Sequence, residues 1–174
     1  MADHALIEEA FKPLGSITAK EIVESDDPSS IANLAGHLKK EHLRHLGYKL
    51  LTRGDALLPN DHPVVKRHFY FAAAGDFLYR WRNTDSFALE LAIDYYRRQI
   101  SIAPEAARQF MVSPDWGFIP AHAGYRQLRI IEEKRGNFAR ARALCLKAKA
   151  EGWKDDWDKQ IATLDKKIAK AGTD

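Results

Sequence analysis

The chain has 174 residues, 45% of them hydrophobic and 29% charged, with 27 basic residues against 24 acidic ones for a formal net charge of +3. That length suits one domain with a real apolar core, and the interspersed charges exclude the charge blocks of a disordered tail or a strongly basic nucleic-acid binder. A single cysteine, Cys145, excludes an internal disulfide, and no run approaches the roughly 20 apolar residues of a membrane span.

The opening MADHALIEEAF carries acids where a secretory signal needs a basic start, so a cytoplasmic protein without membrane association is expected. Strand signals are scarce and apolar residues return at three- and four-residue spacing, which makes the chain all-α. Short helices are expected over Asp3 to Lys12 and around Thr18 to Glu24. At SDDPSS, Asp27 can cap and Pro28 can take the first helical position, so a long helix should run from there toward Thr52, bent near Gly36. It should end at Arg53 to Asp55, before the prolines of LLPNDHP.

From Pro63 a helix runs to about Arg82, and Asn83-Thr84-Asp85-Ser86 turns the chain and caps the next helix. That helix puts Leu89, Ile93, Tyr96 and Ile100 on one face and stops before Pro104. EAARQFMV can form a short connecting helix, broken by Pro114. In SPDWGFIPAHAGY, Ser113 to Tyr125, the side chains of Trp116, Phe118 and Ile119 are expected to fold back as a plug between hairpins, with His122 an exposed first-turn residue. Helices follow from Ala121 to Lys134 and from Phe138 to Glu151, with a turn at Arg135-Gly136-Asn137 between them and a stop at Gly152. The last, Asp156 to Lys170, turns Trp157, Ile161, Leu164 and Ile168 inward, and Asp155, Asp156 and Asp158 read as capping acids.

The segment AGYRQLRIIEEKRGNFARARALCLKAKAEGW resembles a tetratricopeptide repeat: Tyr125 and Leu128 stand at its first aromatic and its leucine, Gly136 at its turn, and Ala141 and Ala148 at its small residues. Phe71, Ala74, Gly75 and Leu78 with Ala92, Tyr96 and Pro104 resemble a looser copy, and Leu43, Leu46, Gly47, Leu50 and Gly54 a half copy. The split arrangement is similar to that of uncharacterised bacterial helical-repeat proteins. The resemblance implies a right-handed superhelix of antiparallel helix pairs with extra N-terminal and C-terminal capping helices. Within one domain, residues 1–62 would hold the N-terminal helices and half repeat, 63–104 the first hairpin, 105–120 a connector, 121–153 the second hairpin and 154–174 the capping helix.

Carried onto matching positions, the concave groove of that family implies a mildly basic surface of Arg44, Tyr48, Asp76, Arg80, Arg126, Ile130 and Lys134, spaced by four within each helix. Such a face would hold an unidentified protein or peptide, acidic in character, through charge-assisted hydrogen bonds. A solvated charged face accounts for the same residues. The apolar end faces of so short an array would suit a homodimer.

An alternative enzyme reading centres on GHLKKEHLRHLGYK, where His37, Glu41 and His45 recur at four-residue intervals with His42 adjacent, a set that suits a divalent metal. On a straight helix the outer histidines would stand about 12 Å apart, too far for one ion. No phosphate loop, nucleophile elbow or paired-cysteine motif is present, so no cofactor is implied and no catalytic residue is assigned. Cys145 reads as an inert core thiol. Arg140 with Lys147, and Arg142 with Lys149, align at seven-residue spacing as nucleic-acid contacts would, yet the nearby Tyr125 and Phe138 read as core and leave no exposed stacking platform.

Overall fold

The computed structural model describes residues 27–59 and 62–172. Both short helices expected before Glu24 lie outside these residues. The described chain is all-helical: α1 (Pro28–His37), α2 (Arg44–Ala56), α3 (Val64–Arg80), α4 (Ala88–Ser101), α5 (Ala103–Val112), α6 (Ala123–Lys134), α7 (Phe138–Ala150) and α8 (Trp157–Ala171). No described helix is long and apolar enough to cross a membrane. The chain divides between Ala92 and Ile93 into two compact units. That division falls within α4, inside the segment read from sequence as one hairpin.

In the first unit, α1 begins as its sequence dictates, with Asp27 Oδ2 accepting from the Ser30 amide at 3.3 Å and the Ser30 hydroxyl at 2.8 Å. It packs on both α2 and α3. The long helix expected toward Thr52 is interrupted: α1 ends at His37, and a 3-10 turn over Glu41–Leu43 precedes α2. Leu38 and Leu43 are both buried. Five residues apart on one helix, they would point about 140° away from each other and could not share a core, so the chain leaves the helix to bury both.

Gly54, read as a turn residue, is helical, and α2 continues to Ala56. Its partner in the packing is α3. A Cβ on Gly54 would lie 2.6 Å from Tyr70 Cε2, and one on Gly47 would lie 2.1 Å from Phe77 Cζ. The two glycines are seven residues apart, as are the two fully buried rings, so α2 offers two notches on one face and α3 fills both. The Tyr70 hydroxyl sits 3.0 Å from the Leu51 carbonyl and 2.9 Å from Asp55 Oδ1.

In the second unit, α5 buries Ala103, Ala106, Ala107 and Phe110. Helices α6 and α7 form a hairpin through Gly136, whose φ of +76° suits a residue without Cβ. α7 packs on both α6 and α8. Tyr125, Leu128 and Ile131 from α6 are buried, as are Ala141, Cys145 and Ala148 from α7 and Trp157 and Leu164 from α8. Burial pushes the Cys145 thiol up to about 11, which suits a packed side chain and not a nucleophile. The start of α8 departs from expectation in detail: Asp156 makes no side-chain cap, and Asp155 Oδ1 instead accepts from the Asp156 amide at 2.8 Å.

Two outcomes test this packing. Gly47→Ala should cost about 1–3 kcal/mol in urea unfolding, although alanine is the better helix former by about 1 kcal/mol, because the Phe77 ring is buried and must shift; unchanged stability would contradict the notch. His68 is buried in α3, and desolvation lowers its pKa from 6.5 to about 4. A depressed histidine stabilises the fold while neutral, so stability is full above pH 6.5 and falls as pH drops toward 4, by on the order of 3 kcal/mol. Urea midpoints across that range should decline more steeply in the native chain than in His68→Leu.

Candidate ligand-binding groove

Several residues of the expected groove are engaged by partners within their own unit. Arg44 and Tyr48 in α2 reach the turn after α3: Arg44 Nε is 3.8 Å from Asp85 Oδ2, and the Tyr48 hydroxyl donates to the same oxygen at 2.8 Å. Burial, with help from Asp85, pushes the Tyr48 phenol up to about 12. Asp85 also accepts from the Phe87 amide at 3.0 Å, so these side chains hold a turn. Asp76 and Arg80 are exposed on α3 in the same unit. Arg126 and Lys134 belong to the second unit, where Arg126 pairs with Asp155 at 3.0 Å. Burial tends to raise the Asp155 carboxyl, but the Asp156 amide and Arg126 hold it below the usual range.

The histidine set is corrected more sharply. His37 ends α1, Glu41 and His42 lie in the 3-10 turn, and His45 is in α2, so the four-residue spacing does not run along one helix face. The His45 ring nitrogen Nδ1 is 2.9 Å from the His42 carbonyl. Among the described residues no three His, Cys, Asp or Glu side chains come together as a metal-binding group.

The connector is also rearranged. Phe118 is 51% exposed, while Trp116 stands edge-on to Phe110 at 5.1 Å and Ile119 reaches toward Gly152. The plug is instead built from Phe110, Trp153 and His122, with Trp153 centred 6.0 Å from Phe110 and 4.5 Å from His122. His122 is thus buried, not exposed, and caps α6 by accepting from the Tyr125 amide at 3.2 Å.

Beside this plug, α6 meets the C-terminal half of α4. The Gly124 amide donates to the buried Gln99 side chain at 2.7 Å. A Cβ on Gly124 would fall 2.8 Å from the Tyr96 carbonyl oxygen and 2.9 Å from Gln99 Oε1. The close approach sets α6 against α4, and α7 completes a groove of about 520 Å³ lined by Arg97, Ile100, Ser101, Leu128, Glu132, Arg140, Ala143, Leu144 and Lys147.

Its chemistry is amphipathic. Ile100, Leu128, Ala143 and Leu144 give an apolar floor, and Arg97, Arg140 and Lys147 give a basic rim. Arg98 pairs with Asp94 at 2.7 Å, Arg142 with Asp165 and Lys149 with Asp158. Arg97 and Arg140 have no acidic partner among the described residues. Among the described residues Lys147 has only a long pair with Glu151, at 4.0 Å, and the rim acid Glu132 is held by the Asn137 side-chain amide at 2.8 Å. None of the expected site residues lines this groove. The sequence signals that touch it are the apolar positions Ile100 and Leu128 and the Arg140 and Lys147 spacing; Arg97 and Leu144 have no mark of their own.

No protein-family model matches the chain, and neither a curated protein nor a solved structure matches it.

Gly124→Ala should lose about 1–3 kcal/mol, because the added methyl meets backbone as well as a buried amide. Amide NMR spectra should then change at Arg97, Ile100 and Leu128 together; a variant with native stability and native shifts would remove this junction as the support of the groove.

Proposed function

We propose that the chain is a non-catalytic binding protein of tetratricopeptide-like type, which takes an acidic, partly apolar segment of a protein partner in the groove between α4, α6 and α7. The observation that carries this reading is the pair Arg97 and Arg140, two guanidinium groups with no carboxylate partner among the described residues, at the edge of an apolar floor. A guanidinium binds a carboxylate through parallel hydrogen bonds, and leucine-sized side chains would cover the floor. Supporting the repeat-like reading of α6 and α7 are buried Tyr125 and Leu128, the left-handed Gly136, and the fully buried Ala141 and Ala148 that let the helices approach. The groove offers arginine, lysine, a held glutamate and Ser101 but no nucleophile paired with a base, which favours binding over reaction.

The test is a titration of the full chain against fluorescent peptides of mixed leucine and glutamate, with leucine–lysine peptides and single-stranded RNA as comparators. Saturable binding of the acidic peptides, weakened about tenfold or more by Arg97→Glu with Arg140→Glu and by added salt, is expected. The variant's circular dichroism and melting should stay native. Equal binding of acidic and basic peptides would overturn the reading, as would binding of the RNA alone.

A further inference from the structure

A second cleft of about 430 Å³ adjoins the first, formed where the start of α7 meets the end of α8. Phe138, Ala139 and Arg140 line it from α7, and Ile168 and Ala171 from α8 with Gly172 just after it. Arg140 lines both clefts. Along α7 the order is therefore an apolar seat at Phe138 and Ala139, a cation at Arg140, and a second apolar seat at Ala143 and Leu144.

We infer that the partner segment is bipartite, with one apolar side chain in each cleft and acidic residues between them at Arg140. This rests on the binding role of the first groove and adds the form of the ligand. Ala139 and Ala143 are four residues apart on α7, about 6 Å by helical rise, so two apolar side chains separated by a short acidic step can reach both clefts. Small residues at Ala139, Ala171 and Gly172 leave room for a peptide backbone to approach.

The sign of the middle residue follows from two independent features. Arg140 has no acidic partner among the described residues. In addition, Asn137 at the N-cap of α7 makes no side-chain cap, because its amide is turned to Glu132 at 2.8 Å. The first-turn amides of α7 therefore lack a side-chain acceptor, and a carboxylate beside Arg140 would face both the cation and the positive end of the helix.

The experiment uses the full chain and three labelled peptides: one with leucines flanking a pair of glutamates, and two in which one leucine or the other is alanine. Ala139→Gln and Ala143→Gln each narrow one cleft at an exposed helical position, so the fold should be kept, with circular dichroism as the control. The two-leucine peptide should bind about tenfold more tightly than either single-leucine peptide, and each glutamine variant should remove about tenfold from it. Each single-leucine peptide should be insensitive to one of the variants. If one leucine gives the full affinity, or Ala139→Gln changes nothing while Ala143→Gln weakens binding, the bipartite ligand is wrong and the single groove stands. If no acidic peptide binds, both readings fall.

Discussion

The contact on which the rest of the second unit depends is the meeting of Gly124 with Tyr96 and Gln99. Buried amide groups need partners, and a helix start set against another helix has several to satisfy. Here the Gln99 side chain takes the Gly124 amide and His122 takes the Tyr125 amide, which fixes the first turn of α6. Both solutions need a residue without Cβ at Gly124, because the space is taken by the Tyr96 carbonyl and the Gln99 side chain. Once that turn is held, Leu128 and Glu132 must face Arg97, Ile100 and Ser101, and a groove between them follows from helical geometry.

Charge is the second organising factor, through which cations are occupied and which are left over. Lys167 and Arg129 both reach Glu133, at 2.6 and 2.7 Å, and together hold that carboxyl below its usual range. Arg126, Arg142 and Lys149 are matched by aspartates of the α8 region. Such exposed pairs contribute little to stability individually, but they neutralise one side of the unit. The basic character of Arg97 and Arg140 is therefore concentrated at the groove, although a net charge of +3 gives no hint of it.

Much of the architecture was legible because local signals were strong. Asp27 and Pro28 mark the start of α1, Gly136 the α6–α7 turn, and the alanines and tyrosine of the last hairpin its buried face. The break after His37 was legible only as a bend near Gly36, since no proline follows to stop the helix; the burial of both Leu38 and Leu43 accounts for the full interruption. For the same reason the His37, Glu41, His42 and His45 set looked like a face and is not one. His122 was misread because a histidine set between a nearby proline and glycine usually belongs to a surface turn, and it takes the packing of Tyr125 and Trp153 to bury the ring. The groove was hidden for a different reason: Arg97, Leu128 and Leu144 come from three helices, and one-dimensional spacing cannot join them. Of the residues implied by resemblance, Arg44 and Tyr48 hold a turn and Arg126 pairs with Asp155.

The most direct measurement is the arginine side-chain NMR spectrum of the full chain during titration with an acidic leucine-containing peptide. Each guanidinium Nε–H reports its own environment, so the groove and the superhelical surface can be told apart in one experiment. The account predicts that the Arg97 and Arg140 signals move together and saturate, while those of Arg44, Arg80 and Arg126 stay in place. Movement of Arg44, Arg80 and Arg126 with Arg97 and Arg140 unmoved would contradict it.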